Sequence, residues 1–505
     1  MTKLFFIGIF WIGLSILLQA QPRSLDSSFG NNGFTVWDNN GNPDAFYDMV
    51  RSSEGKIFLS GYTANANNET PAVIQVDASG QLNNAFGNEG MVAIEPTATD
   101  GETEDMAIFR ENIYIAYYAM IDDDFSGAIT KYDLTGKLDT TFGEQGKKTI
   151  FYNDQSYTPR AITIDNQENV YILANRGGQF VVTKMNKNGM MDQSFGDMGA
   201  FFHKFDRGFA NVEDISLQAD SLILVTGQNF ISSATNPEAP LVVFRLDPTG
   251  NLDETFNQNG QKTITLGEEV RLNAYKVFWS EQEEKLLIIG SYYTDNHDGL
   301  VIRLNTDGSN DDTFGNNGVV LIEEVRQPLY GGFRDLEGRY VVVGDDYIIR
   351  LTTNGEKDMS FGTNGIVSDQ YNIYATEMDA TGNYLVAGSS YNGNDLDGFV
   401  AKYRAEDISS STEDYYQSLL PIQLSPNPFV DNINLFINNN ENLSSALIVI
   451  QTVGGQVVYR SATQDLKPGI NQIPIHNRIS SLKPQNYVLS IITDRGVTSR
   501  KIAKF

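Results

Sequence analysis

The sequence contains no cysteine and only three histidines, and its basic residues are far fewer than its acidic ones. The lack of cysteine excludes disulfide bonds and thiolate metal sites, so stability cannot depend on oxidation. His203, His297 and His476 fall in different parts of the chain and predict neither a catalytic triad nor a histidine-rich metal site. The formal net charge of −28 disfavours nucleic acid as a partner, because neutralising phosphates requires a basic surface.

Sequence motifs of common enzymes are also missing. The chain has no GxSxG, no HExxH and no glycine loop of the kind that holds phosphates. Its many acidic residues could still supply two carboxylates for glycan cleavage, and one sequence does not show whether two of them converge. The sequence therefore leaves enzymatic activity open and identifies no catalytic residue.

The one long apolar run lies at the N-terminus. Lys3 precedes apolar residues from Leu4 to Leu18, which predicts a secretory signal peptide over residues 1–20, cleaved between Ala20 and Gln21. A retained membrane anchor is the alternative, but the run is short for a span. No other segment is a candidate, so we expect no integral membrane span after signal removal.

What the sequence does contain is a nine-residue phrase in seven copies. The first copy is LDSSFGNNG from Leu25, and the others follow at intervals between 47 and 61 residues. Periods of this size are typical of stacked or radial repeat proteins. Within each interval, short apolar runs rich in β-branched residues alternate with turns such as Asp77 to Gly80, which predicts four strands per repeat. The aromatic positions of the phrase are Phe29, Phe86, Phe142, Phe195, Phe256, Phe314 and Phe361.

Seven units of four strands predict an all-β fold with a seven-bladed β-propeller over residues 21–404. A solenoid is the alternative, but four antiparallel strands form a blade more naturally than a solenoid rung. The chain begins with a single strand near 34–38 and its last repeat has only three strands. We therefore expect the first strand to complete the seventh blade and to remove the open edge.

The repeated phenylalanine is predicted to wedge between neighbouring blades. The glycine after it, replaced by Asn257 in one copy, permits a positive φ. A ring of aromatic residues that binds sugars is the alternative interpretation of the same positions.

With the turns SSEGK (52–56) and DATGN (379–383), the phrase resembles the delta-60 repeat family of bacterial propeller-like surface proteins. The resemblance covers roughly residues 25–404. It implies a propeller fold and an extracellular setting, and it brings no catalytic residues.

A second module follows the repeats. The polar segment 405–418 predicts a linker, and alternating strands between residues 424 and 505 predict a small β-sandwich over residues 419–505. This module carries eight lysines and arginines against four acidic residues, unlike the acidic repeats.

The C-terminal module resembles the type A C-terminal sorting domain of the type IX secretion system, except that Asn486 stands where the family usually has glycine. The resemblance implies recognition by that secretion machinery, passage through the periplasm, and removal of the module at the outer surface. We therefore expect a secreted or cell-surface protein. The matching residues are Pro426, Asn427, Pro428, Gly454, Gly455, Tyr487, Lys501 and Lys504.

Several repeats carry an acidic loop before their third strand. Such carboxylates could bind calcium through oxygen, but their spacing does not match a DxDxDG site, so solvated loops are the alternative. No other cofactor is expected. The candidate residues are Asp122, Asp124, Asp295, Asp298, Asp395 and Asp397.

The sequence thus predicts a monomeric, non-enzymatic binding or adhesion protein for a glycan or a protein. The alternative is a secreted glycan-active hydrolase or lyase with acidic residues in the propeller funnel.

Overall fold

A computed structural model describes most of the repeat region and much of the C-terminal module. The described residues are 25–39, 41–65, 68–121, 124–218, 222–231, 239–267, 270–294, 296–368, 371–405, 422–425, 433–439, 443–452, 457–461, 464–475, 479, 482–483, 486–493 and 496–504. The predicted signal peptide with Ala20 and Gln21, most of the linker, and several predicted site residues lie outside this part of the chain; these residues are Asp122, Asp295, Pro426, Asn427, Pro428, Gly454 and Gly455.

The described residues form strands and turns, and no helix occurs among them. The first strand is β1 (Phe34–Trp37), and the strands that follow it build the first four of seven four-stranded antiparallel sheets. Sheet 1 contains β2 (Asp44–Arg51), β3 (Ile57–Asn65), β4 (Asn68–Val76) and β5 (Met91–Ala93). Sheet 2 contains β6 (Asp100–Phe109), β7 (Asn112–Ile121), β8 (Asp124–Asp133) and β9 (Lys147–Thr149), and it is followed by a hairpin of β10 (Phe151–Tyr152) and β11 (Gln155–Ser156). Sheet 3 contains β12 (Thr158–Ile164), β13 (Val170–Arg176), β14 (Gln179–Met185) and β15 (Ala200–Lys204), and sheet 4 contains β16 (Phe209–Gln218), β17 (Leu222–Phe230), β18 (Leu241–Leu246) and β19 (Gln261–Ile264).

The remaining repeats form three more sheets of the same kind. Sheet 5 contains β20 (Arg271–Ser280), β21 (Lys285–Tyr293), β22 (His297–Asn305) and β23 (Val319–Ile322); sheet 6 contains β24 (Leu329–Arg334), β25 (Tyr340–Gly344), β26 (Tyr347–Leu351) and β27 (Ile366–Ser368); sheet 7 contains β28 (Asn372–Met378), β29 (Tyr384–Tyr391), β30 (Leu396–Tyr403) and β1.

The sheets are arranged in a closed ring. The first strand of each sheet packs against the first strand of the next, and β28 of sheet 7 packs against β2 of sheet 1. Strand β1 pairs with β30 in a register that runs from Phe34 opposite Ala401 to Trp37 opposite Gly398. The prediction that the first strand completes the last sheet is therefore confirmed, and the architecture is that of a β-propeller.

Seven hydrophobic cores lie between neighbouring sheets, and each contains one repeated phenylalanine. Every one of these rings is at most 1% exposed. Phe314, for example, packs with Leu287 and Ile289 of sheet 5 and with Tyr340 and Val342 of sheet 6. The ring therefore fills the space between two sheets, which neither sheet could fill alone.

The residue after the phenylalanine joins it to the next sheet. Gly30 has φ 52°, and its backbone N–H donates to the carbonyl of Ser79 in the turn of sheet 1 at 2.7 Å. A Cβ at Gly80 of that turn would lie 2.7 Å from the nitrogen of Gly30, so the close approach requires a glycine at Gly80. A Cβ at Gly30 would instead collide with the carbonyl of Phe34 in the strand that follows it. In one copy Asn257 replaces the glycine and has φ 48°. Its backbone N–H donates to the backbone carbonyl of Asp307 at 2.7 Å.

A basic residue on the third strand of most sheets also stabilises the contact between the repeated phrase and the neighbouring sheet. The Arg303 Nε lies 2.8 Å from Oδ2 of Asp311, within the repeated phrase, and its Nη1 donates to the carbonyl of Thr353 in sheet 6 at 2.6 Å. Its guanidinium also lies 4.5 Å from the ring centre of Phe314. Each such residue therefore binds its own phrase and, in most cases, the turn of the neighbouring sheet; the equivalent ion pairs are Lys402 with Asp26, Lys131 with Asp139, Lys184 with Asp192, Arg245 with Asp253 and Arg350 with Asp358.

The C-terminal module has two sheets of its own. They contain β31 (Ile422–Ser425), β32 (Ile433–Asn439) and β36 (Gly469–Ile475) in one, and β34 (Val457–Arg460), β33 (Leu443–Thr452), β37 (Asn486–Thr493) and β38 (Gly496–Ala503) with the short β35 (Gln464–Leu466) in the other. Residues of both sheets, including Leu435 and Leu489, share one core. Tyr487 is buried in this core and donates its hydroxyl to the carbonyl of Lys483 at 2.8 Å. Lys504 is also buried, and the side chain of Lys501 is not described.

Replacing Phe314 with alanine is expected to cost about 3–5 kcal/mol of unfolding free energy, because it leaves a cavity between two sheets. The matched control is Phe151→Ala, since Phe151 is 58% exposed. Urea denaturation measures both variants. Equal midpoints for the two would contradict the role of Phe314 as an inter-sheet wedge.

Candidate ligand-binding site on the propeller axis

The seven innermost strands share one irregularity that brings seven side chains together. Each strand skips one residue in its pairing with the second strand of its sheet, at an equivalent position. Such a β-bulge re-aims the extra side chain. The skipped residues, in order round the ring, are Tyr47, Glu104, Arg160, Glu213, Tyr275, Tyr330 and Tyr374. We call these seven residues the axial ring.

Tyrosines form one side of the axial ring. The ring centres of Tyr275 and Tyr330 are 5.2 Å apart, those of Tyr330 and Tyr374 5.5 Å, and those of Tyr374 and Tyr47 5.3 Å. All four are half-buried. Burial raises the pKa of each of them above its ordinary value, so their hydroxyls stay neutral and can donate and accept hydrogen bonds.

Charged residues form the opposite side. Nη1 of Arg160 lies 2.5 Å from Oε1 of Glu104, and Nη2 lies 3.7 Å from Oε2 of Glu213. Burial raises the pKa of Glu104 to about 7 although Arg160 acts to lower it, and burial also raises the pKa of Glu213. The axial ring therefore combines an aromatic arc with a carboxylate–guanidinium–carboxylate group.

Acidic residues next to the axial ring have a structural role. Asp48, Asp105 and Asp214 follow three of the bulged residues, and each accepts a backbone N–H from the innermost strand of the next sheet at 2.7–2.8 Å. Lys276 places its Nζ 3.2 Å from Oδ1 of Asp214. These contacts satisfy backbone groups that the bulged inner strands leave unpaired, and they connect neighbouring sheets at the axis.

The acidic loops do not converge among the described residues. Asp298 lies at the start of the third strand of sheet 5, whereas Asp395 and Asp397 lie in sheet 7, where both accept hydrogen bonds from Asn392. Within the part of the chain that the structure describes, no group of three acidic or histidine side chains could hold a metal ion. The side chain of Asp124 is not described, and calcium binding by these loops stays a prediction.

The histidines are separate in the fold as well. His203 packs between Phe205 and Phe244 with ring centres 4.7 Å apart in both cases, and burial lowers its pKa. His297 lies at the start of β22 with its ring 4.5 Å from that of Tyr293, and His476 lies outside the described residues.

Sequence reasoning missed the axial ring because its members differ from repeat to repeat. The only signal was a polar or tyrosine residue within each first strand, as in AFYDMV, TEDMAI and NVEDIS. Aligning the seven repeats on their phenylalanines places the residue 18 positions further on in the first four repeats but 19, 16 and 13 positions further on in the last three, so this alignment does not bring the seven residues to one position.

A family model described as "Domain of unknown function (DUF5122) beta-propeller" matches residues 285–314 and 338–361, which lie in sheets 5 and 6. This match agrees with the propeller fold. No curated protein matches the chain. Among described residues, no helix is long and apolar enough to cross a membrane.

The chain matches several solved structures at low similarity. One is a catalytically inactive virginiamycin B lyase from Staphylococcus aureus with quinupristin, with 11% sequence identity and a TM-score of 0.42; the match covers 73% of this chain and 99% of the lyase chain. Sqt1 from Chaetomium thermophilum has 10% sequence identity and a TM-score of 0.42, and the match covers 75% of this chain and 100% of the Sqt1 chain. A protein from Lactobacillus plantarum has 13% sequence identity and a TM-score of 0.38, and the match covers 60% of this chain and 80% of that protein's chain.

The pKa of Glu104 leads to a testable pH dependence. Because its value in the folded protein, about 7, lies above the ordinary 4.5, the folded state binds more protons than the unfolded state between these pH values. This contribution to the unfolding free energy is present below pH 4.5 and is lost as the pH rises through 7. Glu104→Gln cannot ionise, so we expect it to lose less stability than the wild type between pH 5 and pH 8.

Urea denaturation at the two pH values measures this difference, and Glu254→Gln, at an exposed position in a turn, is the control. An equal loss of stability in the wild type and in Glu104→Gln would show that Glu104 is already ionised in the folded protein at pH 5.

Proposed function

We propose that this chain is a secreted or cell-surface protein whose seven-bladed β-propeller binds a glycan at the axial ring without catalysing a reaction. The observation that carries the proposal is the arc of four contacting tyrosines opposite the Glu104–Arg160–Glu213 group.

The chemistry of the axial ring suits a sugar. Aromatic rings pack against the apolar C–H faces of sugar rings, and a few polar groups at the edge of such a surface orient the ligand. Here Arg160 can donate hydrogen bonds to sugar hydroxyls, while Glu104 and Glu213 can accept them. The seven sheets hold these groups on rigid strands, so binding requires little ordering of the protein.

A glycan-active hydrolase or lyase is the alternative, and it too has an observation in its favour. Glu104, with a pKa of about 7, is suited to donate a proton near neutral pH, and Glu213 would be the second carboxylate. Against this, both carboxylates are ion-paired with the same guanidinium, which holds them in place. Release of reducing ends from a bound glycan, lost in Glu104→Gln, would favour the enzyme.

We also propose the export route. Residues 1–20 act as a signal peptide, 405–418 as a linker, and 419–505 as a β-sandwich that the type IX secretion machinery recognises in the periplasm and removes at the surface. The module's own two sheets and their shared core support a separate unit. The delta-60 resemblance of the repeats supports an extracellular setting, and the protein would act there as a monomer.

Binding at the axial ring is tested with a glycan array and then by titration calorimetry of the full chain. Tyr330→Ala and Tyr374→Ala should each weaken binding of an array hit by about tenfold or more, since stacked aromatic rings dominate such interfaces. Tyr391→Ala, at a tyrosine that is 67% exposed, is the control and should bind normally. Unchanged affinity in both axial variants would place the glycan elsewhere.

The sorting role is tested in a host with type IX secretion. A chain lacking residues 419–505 should accumulate in the periplasm, whereas a soluble reporter fused to a signal peptide and to these residues should reach the surface. The mature protein should lack the module by mass. Normal surface delivery of the truncated chain would contradict the proposal.

A further inference from the structure

A second candidate site lies beside the axial ring, between sheets 4 and 5. It is a pocket of about 110 Å³ whose lining residues all come from regular strands: Gln228, Phe230, Arg271, Asn273, Tyr293 and His297. The pocket lies at the end of the sheets where the innermost strands begin, because Arg271 is the first residue of β20.

Arg271 is held in place by aromatic rings. Its guanidinium carbon lies 5.1 Å from the ring centre of Tyr293 and 6.0 Å from that of Phe230, so it stacks between residues of two sheets. Among the described residues its side chain has neither an acidic partner nor a hydrogen-bond acceptor. By contrast, Arg245, Arg303 and Arg350 are all ion-paired and buried. The donors of Arg271 are therefore positioned and available.

His297 adds a second nitrogen donor to the same pocket. Arg271, Tyr293 and His297 are consecutive cross-strand partners on β20, β21 and β22, so their side chains lie in one row. In a chain with a net charge of −28, a pocket whose described lining contains an arginine and a histidine and no acidic residue is suited to an anion.

The pocket is joined to the axial ring by a chain of hydrogen bonds. The amide of Asn273 donates to the hydroxyl of Tyr275 at 3.0 Å, and the amide of Gln228 in sheet 4 donates to the side-chain oxygen of Asn273. Tyr275 belongs to the aromatic arc. A ligand that lies on the tyrosines can therefore reach Arg271 by extending outward along β20.

We propose that the pocket binds the carboxylate of an acidic sugar, so that the glycan recognised by the propeller contains uronic acid. This inference rests on the proposed glycan binding at the axial ring and names its ligand class. A planar carboxylate matches the guanidinium of Arg271 edge to edge, in the plane left open between Phe230 and Tyr293, and accepts two parallel hydrogen bonds. Gln228 and His297 donate to the remaining oxygen lone pairs.

The test is calorimetry of the full chain with trisaccharides of galacturonate and of mannuronate, each as the free acid and as the methyl ester. The ester keeps the sugar and removes the charge. The wild type should bind at least one acid about tenfold to a hundredfold more tightly than its ester, as hydrogen bonds between charged groups typically contribute. Arg271→Gln should remove this preference while leaving affinity for the ester unchanged, and Arg271→Lys should restore part of it. Arg207→Gln, at an exposed position in the loop before β16, is the matched control.

The outcomes separate the two proposals. Loss of acid preference in Arg271→Gln, together with loss of both acid and ester binding in Tyr330→Ala, supports both. Retained preference in Arg271→Gln, or equal affinity of the wild type for acid and ester, overturns the carboxylate pocket and leaves glycan binding standing. Normal binding in Tyr330→Ala with lost preference in Arg271→Gln overturns the axial site alone. Failure of the wild type to bind either acid overturns the uronate assignment.

Discussion

The fold depends on the contact between the repeated Phe-Gly pair of one unit and the turn of the next. The phenylalanine fills the space between two sheets. In six copies the following residue, at positive φ, donates its N–H to a carbonyl of the neighbouring turn. A side chain on the glycine of the turn, such as Gly80, would collide with the glycine of the phrase. The contact is made between sheets that are adjacent in the ring, so each unit is stable only when its neighbour is present. Because the last sheet borrows its fourth strand from the start of the chain, the ring has neither a first nor a last interface.

This arrangement explains how a chain without cysteine holds its sheets together. Arg303 and Arg350 are buried on third strands, but each has an aspartate, a backbone carbonyl of the neighbouring unit and an aromatic face as partners. A buried guanidinium with all of these partners does not carry the penalty of an unpaired charge. The acidic composition of the repeats therefore serves the structure in part, since the aspartate of the phrase is the counter-charge.

The hydrophobic cores lie at the interfaces between sheets, and the residues that face the axis can therefore differ from sheet to sheet. The bulged position carries tyrosine in four sheets, glutamate in two and arginine in one. None of these side chains is needed to fill an inter-sheet core. Their identities instead create an asymmetric site on a nearly symmetric scaffold, with the tyrosines on one side, the charged group on the other, and the Arg271 pocket beyond Tyr275.

The sequence by itself determined the repeat, the strand content and the closure of the ring. These follow from local turn chemistry and from the spacing of the repeated phrase along the chain. It also singled out the seven phenylalanines and the exceptional Asn257. The axial ring, the pairing of basic residues with the phrase, and the neutral packing of His203 were decided by the tertiary structure. The physical reason differs between them. The residues of the axial ring lie about one repeat apart and change identity from unit to unit, and His203 packs against Phe244 of the next sheet. The ion pairs join residues close in sequence, such as Arg303 and Asp311, but only because the chain turns back after the third strand. Only the closed ring brings seven different bulges to one axis, and only the packing of sheet 4 on sheet 5 places Arg271 between Phe230 and Tyr293, where no described acidic residue pairs with it.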